Sequence, residues 1–222
     1  MRLDRLLAVG AVLLVGVALA IACNDFSLHG NSDDDTALDE GSDDLYSESC
    51  SIDYGADPGC DVSNPGCQMA HMLNKDRFGH PAECDCAPVL QWDADLAAVA
   101  QAHSRDMCDR DFFSHTNPDG QDPFERLNEA GIHWVAAGEN IGQASGYGVD
   151  ESLVVIETSF MDEAECEQNH RSNVLSRNFS HVGVGVYKCG NGYVYVTQDF
   201  AALSFDELRQ DPHEYCPSLS GN

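Results

Sequence analysis

Hydrophobic and polar positions divide the chain into parts with different patterns. Residues 6–22 form an uncharged apolar run, whereas Asn24 to about Ser49 has few apolar residues and many Asp, Ser and Gly. From residue 67 onward, apolar residues recur at the spacings of helices and strands. The pattern therefore predicts one folded domain preceded by a leader and a polar segment.

Four helices are predicted in the folded part, over residues 69–78, after the N-cap Asp93, from the capping box at 122–125 up to Gly131, and from 152 to about 163. The first ends at Gly79, with Pro81 beyond it. In the fourth, Val155, Thr158 and either Phe160 or Met161 are expected to face inward. The second presents an apolar stripe made of Leu96, Val99, Ala100, His103 and Met107.

Strands are predicted where hydrophobicity alternates. One is expected near Trp134 to Ala137, and the segments 181–188 and 193–200 flank the hairpin sequence Gly190-Asn191-Gly192. Helices, a few strands and a closing hairpin favour the α+β class. We expect a three-layer α-β-α sandwich with a central antiparallel sheet.

The N-terminal apolar run has the features of an export signal. Arg2 and Arg5 precede it and small residues come before Cys23. As a helix it would span about 25 Å, short of a bilayer core of about 30 Å. The sequence Ala20-Ile21-Ala22-Cys23 resembles a bacterial lipobox, with Ala20 where that pattern prefers Leu. We therefore predict a signal peptide over residues 1–22 and a cell-envelope lipoprotein anchored through Cys23; ordinary cleavage and secretion is the alternative.

The segment 23–49 is strongly acidic and is predicted to be an extended tether. No Lys or Arg occurs between Arg5 and Lys75, so its carboxylates repel one another and it lacks apolar residues to bury. The formal net charge of the chain is −27. That charge argues against nucleic acid as a partner, and the sequence does not fix the oligomeric state.

The chain has 10 cysteines, which predicts disulfide bonds in an exported protein. Without Cys23 the number is odd, so either one thiol stays free or Cys23 is not lipidated. The spacing of Cys50, Cys60 and Cys67 predicts a stapled extension over residues 50–66, before a domain at 67–203. Cys216 is expected to tie down the tail at 204–222, and the pairing of the cysteines stays open.

Four fragments in the second half carry a family resemblance. They are Ser-His-Thr-Asn-Pro-Asp-Gly at 114–120, Gly-Glu-Asn-Ile-Gly at 138–142, Asn-His-Arg-Ser-Asn at 169–173 and Val-Gly-Val-Gly-Val at 182–186. In this order they resemble the CAP superfamily, also called SCP-like (cysteine-rich secretory, antigen 5, pathogenesis-related), in its bacterial branch. The resemblance covers roughly residues 69–200 and implies the same three-layer sandwich.

The resemblance also implies a cleft with two histidines and two acidic residues. Its motifs correspond here to His115, Glu139 and His170. For the second acid the motif spacing gives Glu163, three residues after Phe160, which stands where relatives have Trp. The alternatives for that acid are Glu157, Glu165 and Glu167.

Two imidazoles with one or two carboxylates suit a divalent ion such as Zn²⁺, with a position left for water. Without metal, the carboxylates would fix the imidazole tautomers. A third interpretation is structural: His115 and Glu139 would tie loops together.

Three functions follow from these possibilities. We favour an extracytoplasmic binding module for a small apolar ligand, such as a sterol or other lipid, or for an envelope component. The first alternative is a zinc-dependent peptidase or esterase with Glu139 as general base. The second is a disulfide-stabilised interaction protein without a ligand. A serine hydrolase is not indicated, because the chain has no Gly-x-Ser-x-Gly sequence.

Overall fold

The computed structural model describes residues 57–80, 87–165 and 167–207. The predicted signal peptide, Cys23, the acidic tether and Cys216 lie outside the described residues. The helices are α1 (Pro65–Gly79), α2 (Ala94–Asp109), α3 (Pro123–Glu129), α4 (Val149–Met161) and α5 (His170–Leu175). The strands are β1 (Gln91–Trp92), β2 (Ala136–Ser145), β3 (His181–Lys188) and β4 (Tyr193–Ala202), and a 3₁₀ turn follows at Phe205–Glu207.

The four strands form one sheet in the order β1-β3-β4-β2. The predicted hairpin pairs β3 with β4, and β2 pairs antiparallel with β4 along its whole length. Only the two-residue β1, which the sequence did not predict, is parallel to its neighbour. The central antiparallel sheet of the prediction is therefore confirmed apart from this short edge strand.

Successive side chains of β4 point to opposite faces of the sheet, and each face packs against a different layer of helices. Val194, Val196 and Phe200 belong to the large apolar cluster that also contains side chains of α1, α4 and α5. Tyr195 and Ala201, which point to the other face, pack with residues of α2 and α3. The sheet thus separates two helical layers, and the predicted sandwich is confirmed.

Two disulfides fasten the described part of the chain. Cys60 bonds to Cys67 at the start of α1, and Cys108 at the end of α2 bonds to Cys189 in the β3–β4 turn. The helix α1 begins at Pro65, four residues before the predicted start, because Asn64 caps it and accepts a hydrogen bond from the Gly66 amide. The prediction of a stapled segment before the domain is consistent with the first bridge.

The prediction from the sequence turned the wrong face of α4 toward the core. The helix begins at Val149, and its apolar stripe consists of Leu153, Ile156 and Phe160. Thr158 is exposed and Val155 is only partly buried. The choice of Val155 and Thr158 was therefore wrong, because the 3–4 residue spacing that reaches the core begins at Leu153; of the two aromatic or thioether candidates, Phe160 is the one in the core.

The Val-Gly-Val-Gly-Val segment lets α2 lie directly on the sheet. A Cβ on Gly183 would lie 2.0 Å from the Ala97 amide nitrogen, and one on Gly185 would lie 2.2 Å from the Ala100 carbonyl carbon. The valines on either side of these glycines point toward the opposite apolar cluster. The alternating glycines are thus a packing requirement of β3.

Within the described residues, no helix combines the length and apolar character needed to cross a bilayer.

Candidate functional site

The site is organised by two consecutive residues of β2, Glu139 and Asn140. The sequence predicted that a strand near residues 134–137 would lead into this segment; instead the strand continues through it to Ser145. Consecutive side chains in a strand point to opposite faces. Glu139 pairs with Asp199 and points toward the α2 and α3 layer, while Asn140 pairs with Gln198 and points toward the α4 and α5 layer.

The first histidine–glutamate pair is deeply buried. His115 Nδ1 lies 2.7 Å from Glu139 Oε1, and Arg126 donates from Nη2 to Glu139 Oε2 at 2.6 Å. The Glu139 side chain is 2% exposed, the His115 side chain 9%. Both oxygens of this carboxylate are therefore occupied by groups of the protein.

Opposing influences act on the Glu139 carboxyl. Burial alone would raise its pKa, but the bond from His115 and the charge of Arg126 outweigh burial and hold the pKa below its usual value. Its cross-strand partner Asp199 is 1% exposed. Burial and the neighbouring Glu139 raise the pKa of Asp199 well above its usual value. A charged Glu139 next to a neutral Asp199 is the arrangement that follows.

Local hydrogen bonds hold the loop that carries His115. The Asn117 side chain accepts from the amides of Asp119 and Gln121, which closes a tight turn. Arg126 also donates from Nη1 to the His115 carbonyl at 2.7 Å. One guanidinium thus positions both the backbone of His115 and the carboxylate that its ring contacts.

His103 of α2 also holds the loop that carries His115. It is 1% exposed, and its Nε2 lies 3.0 Å from the Ser114 carbonyl. Burial lowers the pKa of His103 to about 4, so its ring is neutral at neutral pH and Nε2 carries the proton. His103 thus lies on the buried stripe of α2 that the sequence predicted.

The second pair lies in the other layer. His170 Nδ1 lies 2.6 Å from Glu163 Oε1, and the His170 amide donates to Glu163 Oε2 at 2.7 Å. The His170 ring stacks on Phe160, with centroids 4.3 Å apart and planes 16° apart. Phe160 therefore gives the ring an aromatic surface in the position where the family resemblance expected Trp.

Of the four acids considered for this position, Glu163 is the one against His170. It follows the end of α4, which allows its side chain to reach back to the first residue of α5. Glu165 and Glu167 are exposed, and Glu157 is buried with a bond to Gln198 instead.

Asparagine side chains join the two pairs through β2. Asn140 donates from Nδ2 to the His170 carbonyl at 3.1 Å and to Gln198 Oε1 at 2.9 Å. Asn173 donates to Asn140 Oδ1 at 2.9 Å and to the Glu139 carbonyl at 3.4 Å. The helix that begins with His170 is thus tied to the strand that carries Glu139.

With this geometry established, comparison with known proteins identifies the family. The model of the cysteine-rich secretory protein family, CAP, matches residues 70–200, which is more than half of the chain. This protein belongs to the CAP family.

Curated relatives of this CAP domain come from Bacillus subtilis. The chain is 37% identical over 102 residues to the uncharacterised protein YkwD, covering 46% of this chain and 36% of YkwD. It is 32% identical over 111 residues to the uncharacterised membrane protein YlbC, covering 50% of this chain and 28% of YlbC. The chain therefore spans about a third of the length of these relatives.

Solved structures share the fold. An extracellular SCP-domain protein from Bacillus anthracis is 31% identical, with a TM-score of 0.50, covering 62% of this chain and 40% of that one. An outer surface protein of Borrelia burgdorferi is 15% identical, with a TM-score of 0.52, covering 65% of this chain and 97% of that one. The second likeness concerns the fold alone.

In both histidine–glutamate pairs of this CAP domain, the same ring nitrogen, Nε2, is left for a ligand. In each, Nδ1 faces a carboxylate, so Nε2 is the nitrogen that no carboxylate engages. Metal-bound histidines commonly donate their other nitrogen to a carboxylate in this way. Within the described ranges, no group of three or more His, Cys, Asp and Glu is arranged to hold a metal by itself. Glu139 and Glu163 therefore orient the two rings in the way that carboxylates orient metal-bound histidines.

Sequence reasoning missed several residues that build the site. Arg126 neutralises Glu139, Asn140 and Gln198 bridge to His170, and Asp199 lies beside Glu139. For Arg126 a signal existed: the chain has only 11 Lys and Arg, and this one follows the capping box directly. The others are polar residues in β-strands, whose role depends on the pairing of β2 with β4.

Proposed function

We propose that this protein is an extracytoplasmic CAP-domain binding module whose cleft takes a divalent cation through His115 and His170. The observation that supports it most directly is the matching pair of imidazoles, each held through Nδ1 by a carboxylate. Zinc accepts neutral imidazole nitrogen. Because only two protein ligands are offered, we expect weaker and more exchangeable binding than in a structural zinc site with four ligands.

A location outside the cytoplasm is part of this proposal. Disulfides such as Cys60–Cys67 and Cys108–Cys189 persist in oxidising compartments. The related Bacillus anthracis protein is described as extracellular. A lipid anchor at Cys23 would add the membrane attachment, and replacing Cys23 with Ser should then release the protein from the membrane fraction into the soluble fraction. Unchanged membrane attachment of that variant would refute the anchor.

The metal proposal is tested by titrating the purified, chelator-treated protein with Zn²⁺ in competition with a chromophoric chelator. We expect one site per chain, lost in the double variant His115→Ala/His170→Ala. The exposed His133 supplies a matched control, since His133→Ala removes an imidazole that belongs to neither pair. Circular dichroism and chemical denaturation verify that each variant is folded.

Two results would refute the metal site. One is the absence of zinc binding to the intact domain, and the other is unchanged binding in the folded double variant. Loss of binding in His133→Ala as well would indicate non-specific coordination by surface imidazoles.

The geometry does not favour the hydrolase alternative with Glu139 as general base. Its two oxygens are engaged by His115 and Arg126, its side chain is 2% exposed, and its pKa is held below the usual value. A general base needs contact with the proton it removes and a pKa near the working pH. Binding of a lipid or an envelope component stays a prediction from the family resemblance, to be tested by native mass spectrometry of the domain.

A further inference from the structure

A second cluster of carboxyl groups lies behind the site, between α1 and α4. Glu157 of α4 is 3% exposed, and its carboxyl lies within hydrogen-bonding reach of the Asp76 carboxyl on α1, which is partly buried. Gln198 donates from Nε2 to Glu157 Oε2 at 2.9 Å. No donor from the described residues reaches Glu157 Oε1. Two carboxyl groups in such contact require a proton between them, because two negative charges would repel at this depth.

The charged groups around Asp76 and Glu157 do not remove the need for this proton. On the Asp76 side, the facing groups among the described residues are Lys75 of α1, His80 at the C-cap of α1 and Arg171 of α5. On the Glu157 side, β4 contributes the neutral amide of Gln198. Burial and the neighbouring Asp76 raise the pKa of Glu157 to about 8. Burial raises the pKa of Asp76 as well, more than the bond with Glu157 and the neighbouring basic side chains lower it.

A chain of hydrogen bonds connects the pair with the cleft. Glu157 accepts from Gln198, whose Oε1 accepts from Asn140 Nδ2, and the same Nδ2 group donates to the His170 carbonyl. Every side chain between Glu157 and His170 in this chain is buried. A change in the charge of Glu157 therefore acts on groups that hold the backbone of a cleft histidine.

We propose that Asp76 and Glu157 share one proton and form a pH-dependent clamp that joins α1 to α4 and holds the His170 backbone through Gln198 and Asn140. Loss of the proton places two carboxylates against each other and loosens the contact between the helices. The regulation of the cleft rests on the proposed function, whereas the clamp itself is a property of the fold.

The effect of pH on stability has a defined sign. The pKa of Glu157 is about 8 in the folded protein and 4.5 in its ordinary state, so the folded state binds the extra proton between these values. This contribution to stability is fully present below pH 4.5, decreases as the pH rises toward 8 and is absent above it. Between those limits, one proton changes the unfolding equilibrium constant by up to about tenfold per pH unit.

The decisive variant is Glu157→Gln, because glutamine can donate to Asp76 and accept from Gln198 as a protonated glutamate does. We expect the unfolding equilibrium constant of the wild type, divided by that of Glu157→Gln, to rise as the pH increases from 5 to 8 and then to level off. Glu167→Gln, at an exposed position, is the matched control and should follow the wild type. Parallel pH–stability curves for the wild type and Glu157→Gln would overturn the proposal.

A structural readout tests the connection to the cleft without any ligand. The side-chain amide signals of Asn140 in ¹H–¹⁵N spectra should titrate near pH 8 in the wild type and stay constant in Glu157→Gln. In Asp76→Asn the transition should move to lower pH, because the neighbouring negative charge is gone. An Asn140 signal that titrates equally in Glu157→Gln would contradict the connection.

The effect on binding is measured last, as the ratio of zinc affinities of Glu157→Gln and the wild type at the same pH. We expect a ratio near one at pH 6.5 and a clear gain for the variant at pH 8.5. If neither protein binds zinc, the proposed function fails while the stability and NMR results still decide the clamp. If both bind equally at pH 8.5, the regulation is refuted.

Discussion

His115 and His170 each face a carboxylate through Nδ1, but the two carboxylates come from different kinds of structure. Glu139 sits in the middle of a paired strand, is 2% exposed and also binds a guanidinium. Glu163 follows the end of a helix, its side chain is 29% exposed, and it holds His170 through one ring nitrogen and one backbone amide. The first pair is thus locked into the sheet, whereas the second has its carboxylate at the surface.

This difference indicates which of the two pairs tolerates change. A buried charge that loses its partner is costly, while a partly exposed carboxylate can exchange a protein contact for water. We therefore expect stability to depend mainly on the His115 side of the site. Adaptation to a ligand should involve mainly the His170 side.

The largest effect is expected for Arg126→Ala. It leaves the Glu139 charge buried without its cation, and breaking a buried pair in this way costs about 3–5 kcal/mol. Urea denaturation of the folded domain measures the loss. The control is Arg105→Ala, which removes an exposed pair with Asp109 and should cost less than about 1 kcal/mol. Equal losses for the two variants would contradict the difference in depth.

A smaller difference in unfolding free energy is expected between Glu139→Gln and Glu163→Gln. Glu139→Gln removes charge-assisted bonds to His115 and Arg126 and should cost about 2–3 kcal/mol. Glu163→Gln removes bonds to one residue at a partly exposed position and should cost about 1 kcal/mol. The same denaturation curves give both values, and a reversed order would show that the second pair is the rigid one.

The smallest effect is a pH dependence of stability that arises from His103, which contacts the loop of His115. The pKa of His103 is about 4 in the folded protein and 6.5 in its ordinary state. The unfolded chain therefore takes up a proton first, and stability that is present above pH 6.5 is lost as the pH falls toward 4.

Between pH 7.5 and pH 5.5 this loss should be about 1 kcal/mol. Its measure is the difference in unfolding free energy between the wild type and His103→Gln, which keeps a donor for the Ser114 carbonyl but does not titrate. A difference that stays constant over this range would show that His103 does not carry the effect.

Local signals in the sequence predicted α2 and α3 well. The Asp93 cap is confirmed at the residue expected, and so is the capping box at Asp122 and Glu125. These features depend on hydrogen bonds between residues two or three positions apart, which a sequence displays directly. The predicted hairpin of β3 and β4 is also confirmed, and it was predictable because its turn sequence is equally local.

The extent of β2 and the surroundings of the two histidine–glutamate pairs were not predictable in this way. Gly138 and Gly142 interrupt the hydrophobic alternation, so the strand is recognisable only once β4 is placed beside it. The contact of Arg126 with Glu139 joins residues 13 positions apart, and that of Gln198 with Glu157 joins residues 41 positions apart. Spacing within one element carries no information about such contacts, and the family resemblance supplied the histidines and Glu139.

The pairing of β2 with β4 makes one dipeptide serve both halves of the molecule. Glu139 supplies a charge to one layer and Asn140 supplies an amide to the other, because neighbouring strand residues face opposite ways. A single inserted residue before Glu139 would send the carboxylate into the layer of His170 and the amide toward Arg126. Length changes in this strand should therefore be far more damaging than substitutions. An engineer who wishes to alter one of the two pairs must exchange side chains and leave the residue count of β2 intact.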